Sequence, residues 1–529
     1  MTAQLPRRDV LRLAALAGLG TALTGCGLRS QDPSDVGPPA GGPGASTAAP
    51  TAPSASPTGP RPTYAQLAKQ LSGTLSMPGQ SGYQPKNLLY NPRFFAQTPP
   101  QAIAHVKSSA DVAACVAFAA AGGAPIRIRN GGHSYGGWSS GSGLVVDLSG
   151  LNAVTVNASA KTATIGAGAL LADVYSELGA KGVSIGGGSC ATVGISGLTM
   201  GGGVGVLART YGLTCDQLAA AQIVTADGKT RTVNAHTDAD LFWALRGGGG
   251  GSFGAVTELT FDVRPAPHVQ TFFLQWSWSA AKQVLTAWQH WTASAPSELW
   301  STCKLLVQPG KGGRVLLVGT WVGSRSPSSS LSALLKATPK PTTNYRGGGS
   351  YASVMLAEAG CSGESANTCI ANALTPSQRL PFAATSSILQ KALPSAGVAA
   401  IVAAVAKGSS VPGMVEGGVS FDAFGGAIGE VAADATAFPW RSALADVQYT
   451  ATWPYGKAGS SPAPYDAFVQ AERKALQPWL GNSAYVNYAD PKLTDYPTAY
   501  WGSNLGRLST VKNSYDPHDL FAFPQSVPL

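Results

Sequence analysis

Charge is scarce in this chain: Asp, Glu, Lys and Arg make up 12% of its 529 residues, about half the usual share. With 44% hydrophobic residues beside so little charge, the chain is neither a disordered polyelectrolyte nor a charge-laced helical rod. The net charge of +9 is dispersed, with no Lys/Arg block or stripe, which argues against a nucleic-acid partner. Histidine is also rare. Besides His133 there are His105, His236, His268, His290 and His518, none at ligand spacing, so no metal site is expected. Past the first residues no apolar run is long enough to span a bilayer, and no internal repeat is found. What abounds is Gly (65) and Pro (37), the mark of a turn-rich globular protein large enough for two lobes.

Residues 1–26 read as an address rather than as structure. Arg7-Arg8-Asp9-Val10-Leu11 opens a short apolar stretch and resembles a twin-arginine export signal. The stretch ends in Leu23-Thr24-Gly25-Cys26, similar to a bacterial lipobox, with Cys26 as the lipid-bearing residue. Residues 27–63, rich in Pro, Ala, Ser and Thr, read as a disordered tether. The localisation expected is therefore exported, as a cell-envelope lipoprotein or a secreted protein, with the membrane touched only through Cys26. Of the other cysteines, Cys115 and Cys215 read as buried thiols, and Cys303 has no evident partner. Cys361 and Cys369 are close enough in sequence to pair outside the cytoplasm, though the spacing alone leaves this open.

The folded part reads as α+β. Residues 64–264 alternate short strands and helices: strands at 125–129, 143–148, 162–167 and 222–226, and a helix over 170–178 ending before Gly179. Residues 265–482 change character, with strands at 271–276 and 314–322 and helices at 280–293 and 395–406; an antiparallel sheet backed by helices is expected. Residues 483–529 form a dense tail expected to return to the first lobe.

Three segments carry chemistry. Arg129-Asn130-Gly131-Gly132-His133-Ser134-Tyr135 and Gly186-Gly187-Gly188-Ser189-Cys190-Ala191-Thr192-Val193-Gly194 each pack backbone amides around one reactive side chain. The second runs on through Gly197, Gly201, Gly202 and Gly205. The third is Arg246 followed by five glycines, Ser252, Phe253 and Gly254. Together with Tyr485-Val486-Asn487-Tyr488 and an ending from Tyr515-Asp516-Pro517 to Gln525, these motifs resemble, in order, the FAD-linked oxidases of the berberine-bridge-enzyme type. That family lies within the vanillyl-alcohol-oxidase superfamily.

The resemblance covers nearly all of residues 64–528 and implies a two-lobed PCMH-type FAD-binding domain followed by a substrate domain. It implies FAD bonded through its 8α-methyl to His133 and through C6 to Cys190. Arg129, Asn130, Gly131, Gly132, Ser134, Val193, Gly194, Gly197, Gly201, Gly202, Gly205 and Asn487 are implied to cradle it. In sugar-oxidising members a Tyr of the Tyr-x-Asn-Tyr motif is the base, paired with an Asp before a Gly-Gly turn; the matching positions are Tyr488 and Asp422. The Glu that serves alkaloid-oxidising relatives falls at Gln448, which cannot take a proton, and this favours a sugar or other polyol. Tyr135 and Gln448 are implied to hydrogen-bond substrate. Val193 matches the small branched residue beside the flavin in members that admit O2. Trp440 stands where relatives usually carry His.

Other signals are weaker. Gly137-Trp138-Ser139-Ser140-Gly141 fits a hydrolase elbow but is followed by a strand, not a helix. Gly203-Val204-Gly205-Val206-Leu207-Ala208 fits a relaxed dinucleotide fingerprint but follows a glycine run rather than a strand. Within the resemblance, a dehydrogenase or an oxidase of secondary metabolites is the alternative. Outside it, a tethered solute-binding lipoprotein is, although such a protein has no use for His133 and Cys190.

Overall fold

The computed structural model describes residues 61–323, 326–375, 378–456 and 461–529. The expected export signal with Cys26, and nearly all of the expected tether, lie outside the described residues. Among the described residues no helix is long and apolar enough to cross a membrane.

The first lobe holds two sheets. Strands β1 (Thr74–Ser76), β2 (Ala102–His105), β3 (Ile126–Arg129) and β4 (Leu144–Asp147) form the four-stranded sheet β1-β2-β4-β3. In it β4 runs parallel to both β2 and β3. Parallel neighbours need a long crossover. Between β3 and β4 that crossover is the glycine-rich loop 130–143, which carries His133 across the end of the sheet. Strands β5 (Val154–Asn157) and β6 (Thr162–Gly166) belong to a second, five-stranded sheet, β5-β6-β10-β8-β9. It is completed by β8 (Leu218–Val224), β9 (Thr230–Asn234) and β10 (Ala255–Asp262), antiparallel throughout. A two-stranded ribbon joins β7 (Val183–Ser184) to β11 (Arg264–Pro265).

The expected helix over 170–178 runs on to Ala180 and takes in Gly179. A Cβ at Gly179 would stand 2.7 Å from the Ala352 Cβ, so this glycine lets the helix Tyr351–Glu358 pack close rather than ending its own helix.

The second part of the fold is a seven-stranded antiparallel sheet in the order β15-β12-β14-β13-β17-β18-β16. Its strands are β12 (His268–Ser277), β13 (Leu299–Gln308), β14 (Gly312–Val322), β15 (Thr343–Ser350), β16 (Phe382–Leu389), β17 (Glu416–Ala423) and β18 (Ala445–Thr452). Side chains alternate between its faces. Cys303, Leu305 and Val307 join the main core with helices Ala281–Ala293 and Ser395–Ala406, while Trp288 donates to Ser301 Oγ at 3.0 Å. The opposite face is polar. Across β18, β17 and β13 it carries Gln448, Ser420 and Lys304 side by side and, one rung along, Asp446, Asp422 and Thr302.

Cys361 and Cys369 form a disulfide with Cα atoms 5.4 Å apart, and Cys115, Cys215 and Cys303 are free and buried. The paired cysteines pack against Ala172 and Ala191, the latter next to Cys190.

The tail lies against the first lobe. Lys512, fully buried on the helix Leu505–Tyr515, donates to the Ser252 carbonyl at 2.9 Å and to Asp516 at 2.6 Å. Asp516 in turn accepts the Leu520 and Phe521 amides. Removing one partner of a buried pair leaves the other charge uncompensated. Lys512→Met is therefore expected to destabilise the holoprotein by about 3–5 kcal/mol, read as a lowered melting temperature. An unchanged melt would mean that this ion pair does not hold the tail.

Candidate active site

The crossover loop and the segment after Cys190 are held together backbone to backbone. A Cβ at Gly131 would lie 2.5 Å from the Thr192 carbonyl oxygen and the Gly194 nitrogen, so no larger residue fits there without moving the chain. Gly132 has φ +75°, a conformation that glycine adopts without strain. Together they bring His133 beside Thr192, whose hydroxyl lies 2.8 Å from His133 Nε2. The imidazole also stacks on Tyr90, with ring centroids 3.9 Å apart. Burial, reinforced by Arg129 and Arg379, pushes its pKa down to about 3, so the ring is neutral with a lone pair to offer.

Both segments line one large cavity between the lobe and the polar face of the seven-stranded sheet. Asn130, Gly131, Gly132, His133, Ser134 and Tyr135 line it from the crossover loop. Cys190, Val193, Gly194, Gly197 and Gly205 line it from the segment after. Asn487, Tyr488 and Asp422 complete the wall from the second half of the chain.

The Tyr-x-Asn-Tyr segment divides its work. Tyr485 accepts the Gly203 and Val204 amides through its hydroxyl, at 2.9 and 3.3 Å. Asn487 donates to the Leu198 carbonyl and to the Tyr485 hydroxyl, both at 2.9 Å. Tyr488 alone turns its ring to the reacting end, stacked against Tyr135 at 5.4 Å. Burial, with Asp422 next in weight, raises its phenol well above the usual value of 10, so it is protonated at neutral pH. Asp422 is raised as well, by burial, against the opposing pull of Lys304.

Four residues expected at the cofactor or substrate lie elsewhere. Arg129 does not face the cavity: it pairs with Asp147 at 2.9 Å, its register partner on the parallel neighbour, and caps the Leu88 and Asn87 carbonyls. Gly201 and Gly202 stand behind the wall. A Cβ on Gly201 would meet Asn487 Oδ1 at 2.0 Å, and Gly202 has φ +119°, so both shape the turn that seats the Tyr-x-Asn-Tyr segment. Gln448 acts through Tyr135, donating to its hydroxyl at 2.6 Å, rather than lining the cavity itself. Trp440, at the position that departs from the resembled pattern, donates to the Ala484 and Tyr500 carbonyls and braces the tail.

Two groups were given no site role from the sequence, although the glycine run after Arg246 was singled out there as a motif. The glycines Gly248–Gly251 line the cavity, with Gly249 and Gly251 at φ +91° and +83°; the run itself was the available signal. Asp446 is fully buried one rung from Gln448, and alternation along the strand puts it on the same face.

A flavin dinucleotide fits these walls. The glycine-rich turns provide a concave surface of backbone amides of the kind that takes a pyrophosphate. Two buried polar atoms on the lining, Asn130 Oδ1 and Ser139 Oγ, have no partner among the described residues.

Comparison with known proteins agrees. The family described as FAD binding domain matches residues 100–234, and that described as Berberine and berberine like matches residues 484–528. An uncharacterized FAD-linked oxidoreductase of Bacillus subtilis (strain 168), YgaK, is 34% identical over 441 residues, which cover 81% of this chain and 91% of that protein. Among solved structures, Physcomitrella patens BBE-like 1 superposes with a TM-score of 0.78 at 30% identity, covering 88% of this chain and 98% of the other. A chitooligosaccharide oxidase does so with a TM-score of 0.78 at 27% identity and the same coverage.

Proposed function

This chain belongs to the berberine-bridge-enzyme-like family of FAD-linked oxidoreductases, and from that premise we propose that it oxidises an alcohol carbon of a sugar, oligosaccharide or other polyol. The observation that carries the reading is the meeting of Tyr488 and Asp422 with His133 and Cys190 on the wall of one cavity. FAD, held at His133 and Cys190, would accept a hydride from the substrate carbon.

The chain's own residues manage the proton. A phenol held this far above its ordinary pKa cannot wait as a phenolate. Tyr488 therefore takes the substrate hydroxyl proton only as it gives up its own, and Asp422 is the acceptor on its side of the cavity. Tyr135 is fixed by Gln448 and stacked on Tyr488, so its hydroxyl is placed to orient a substrate hydroxyl.

A polar rather than aromatic substrate is supported by the row of Thr302, Lys304, Ser420 and Asp422 on the sheet face toward the site. It is supported further by the glutamine at position 448, which offers amide chemistry instead of a carboxylate base. The oligosaccharide oxidase among the structural relatives points the same way. O2 is the acceptor in this reading, because Val193 on the cavity wall is small enough to leave oxygen a path to the flavin. Export on the twin-arginine route with a lipid at Cys26 belongs to the same proposal, and loss of lipid labelling in Cys26→Ala tests it.

Aldoses, oligosaccharides and aromatic alcohols offered to the holoenzyme should separate cleanly. Sugars are expected to bleach the flavin anaerobically and to release peroxide in air. Bleaching by aromatic alcohols alone would refute the sugar reading. Bleaching without peroxide would refute oxygen as acceptor.

A further inference from the structure

Asp422 and Asp446 are direct cross-strand partners on β17 and β18, so their side chains leave the sheet on the same face with Cβ atoms roughly 5 Å apart. Asp422 is 4% exposed and Asp446 is not exposed at all. The two differ in their company. Asp422 faces Lys304 and Thr302 from β13, and Lys304 is also within electrostatic reach of Glu358 and Glu416. Asp446 lies within reach of Tyr485 and Tyr488 from the tail and of Tyr135 from the crossover loop, with no cation among them. Among the described residues neither Asp446 oxygen has a side-chain partner, and the backbone contact it has is the Val447 amide.

Two carboxylates this close, both buried, cannot both ionise near neutral pH. We propose that Asp422 and Asp446 are a carboxyl pair holding a single proton, kept on Asp446 while Lys304 favours the anion at Asp422. The inference rests on the alcohol-oxidation reading for its use, though not for its existence. In use, the C–H electron pair would leave the carbinol carbon as hydride, the chemistry that FAD would supply being its acceptance, and the C=O bond would form. The hydroxyl proton passes to Tyr488 Oη, and the Tyr488 proton forms the new O–H bond on Asp422. The pair thus goes from one proton to two and returns the second to solvent after turnover. Asp446 is a positioning residue: its acid proton is the donor available to hold the Asp422 carboxylate toward Tyr488. Once that proton is lost, repulsion replaces the donor.

The pair is visible without any substrate. In holoenzyme carrying 13C-carboxyl aspartate, one protonated side-chain carboxyl is expected near neutral pH. It should be absent from Asp446→Asn and shifted to lower pH in Asp422→Asn, with bound-flavin absorbance confirming the fold of each variant. A signal that survives Asp446→Asn, or an Asp446 already ionised at neutral pH, overturns the pair. Anaerobic flavin reduction by cellobiose supplies the second readout. The wild type should slow at alkaline pH as Asp446 ionises. Asp446→Asn, which keeps a donor but not a titration, should lose that alkaline limb, and Asp446→Leu should be at least tenfold slower at every pH. Identical profiles for wild type and Asp446→Asn would remove Asp446 from the reaction. Should neither cellobiose nor any other sugar bleach the wild-type flavin, the sugar reading fails, and the carboxyl signal still decides the pair.

Discussion

Tyr488→Phe is expected to slow anaerobic flavin reduction by about a thousandfold, within the range that general-base groups supply. That loss corresponds to about 4 kcal/mol of barrier. Phenylalanine keeps the stack on Tyr135 and removes only the hydroxyl, so the cavity and the bound flavin should be untouched. The pH dependence carries the mechanism. Because burial and Asp422 hold the Tyr488 phenol well above 10, the rate should show no rise as pH approaches an ordinary tyrosine pKa. The working form instead needs Asp422 ionised. Its carboxyl is raised above the ordinary 3.8, so activity should fall with decreasing pH at a point above the usual carboxylate range. Asp422→Asn removes the acceptor and should approach the Tyr488→Phe rate. A near-normal rate in Tyr488→Phe would show that substrate loses its proton elsewhere.

The parts of this site legible in the sequence were those in which chain neighbours are also site neighbours. Gly131, Gly132 and His133 form one such unit; the run from Cys190 to Gly194 is another, since the close approach that they make needs glycine at fixed places. The strand and helix periods were readable for the same local reason, and the helix at 395–406 falls where its apolar spacing puts it. What failed was long-range. Arg129 sits next to the loop in the chain, but its partner is fixed by strand register, Asp147 across β3 and β4. Asp446 is only two residues from Gln448, yet its meaning depends on standing opposite Asp422, a register no single strand announces. Gly179 carried a stop signal and instead serves a helix contact made by Ala352, far along the chain.

Removing both proposed anchors should abolish covalent flavin altogether. Intact wild-type protein is expected to carry the added mass of one FAD after denaturation, and peptides around His133 and Cys190 should emerge joined through it. His133→Ala should leave attachment through sulfur alone, Cys190→Ser attachment through imidazole alone, and the double variant a bare polypeptide. The environment favours the imidazole bond. A ring whose pKa is pushed down to about 3 is neutral throughout the physiological range, so its lone pair is not lost to protonation. With Nε2 directed to Thr192, Nδ1 is the nitrogen left to bond carbon. Thr192→Val should therefore impair attachment at His133 while sparing that at Cys190. Flavin that leaves the denatured wild-type chain would refute both anchors at once.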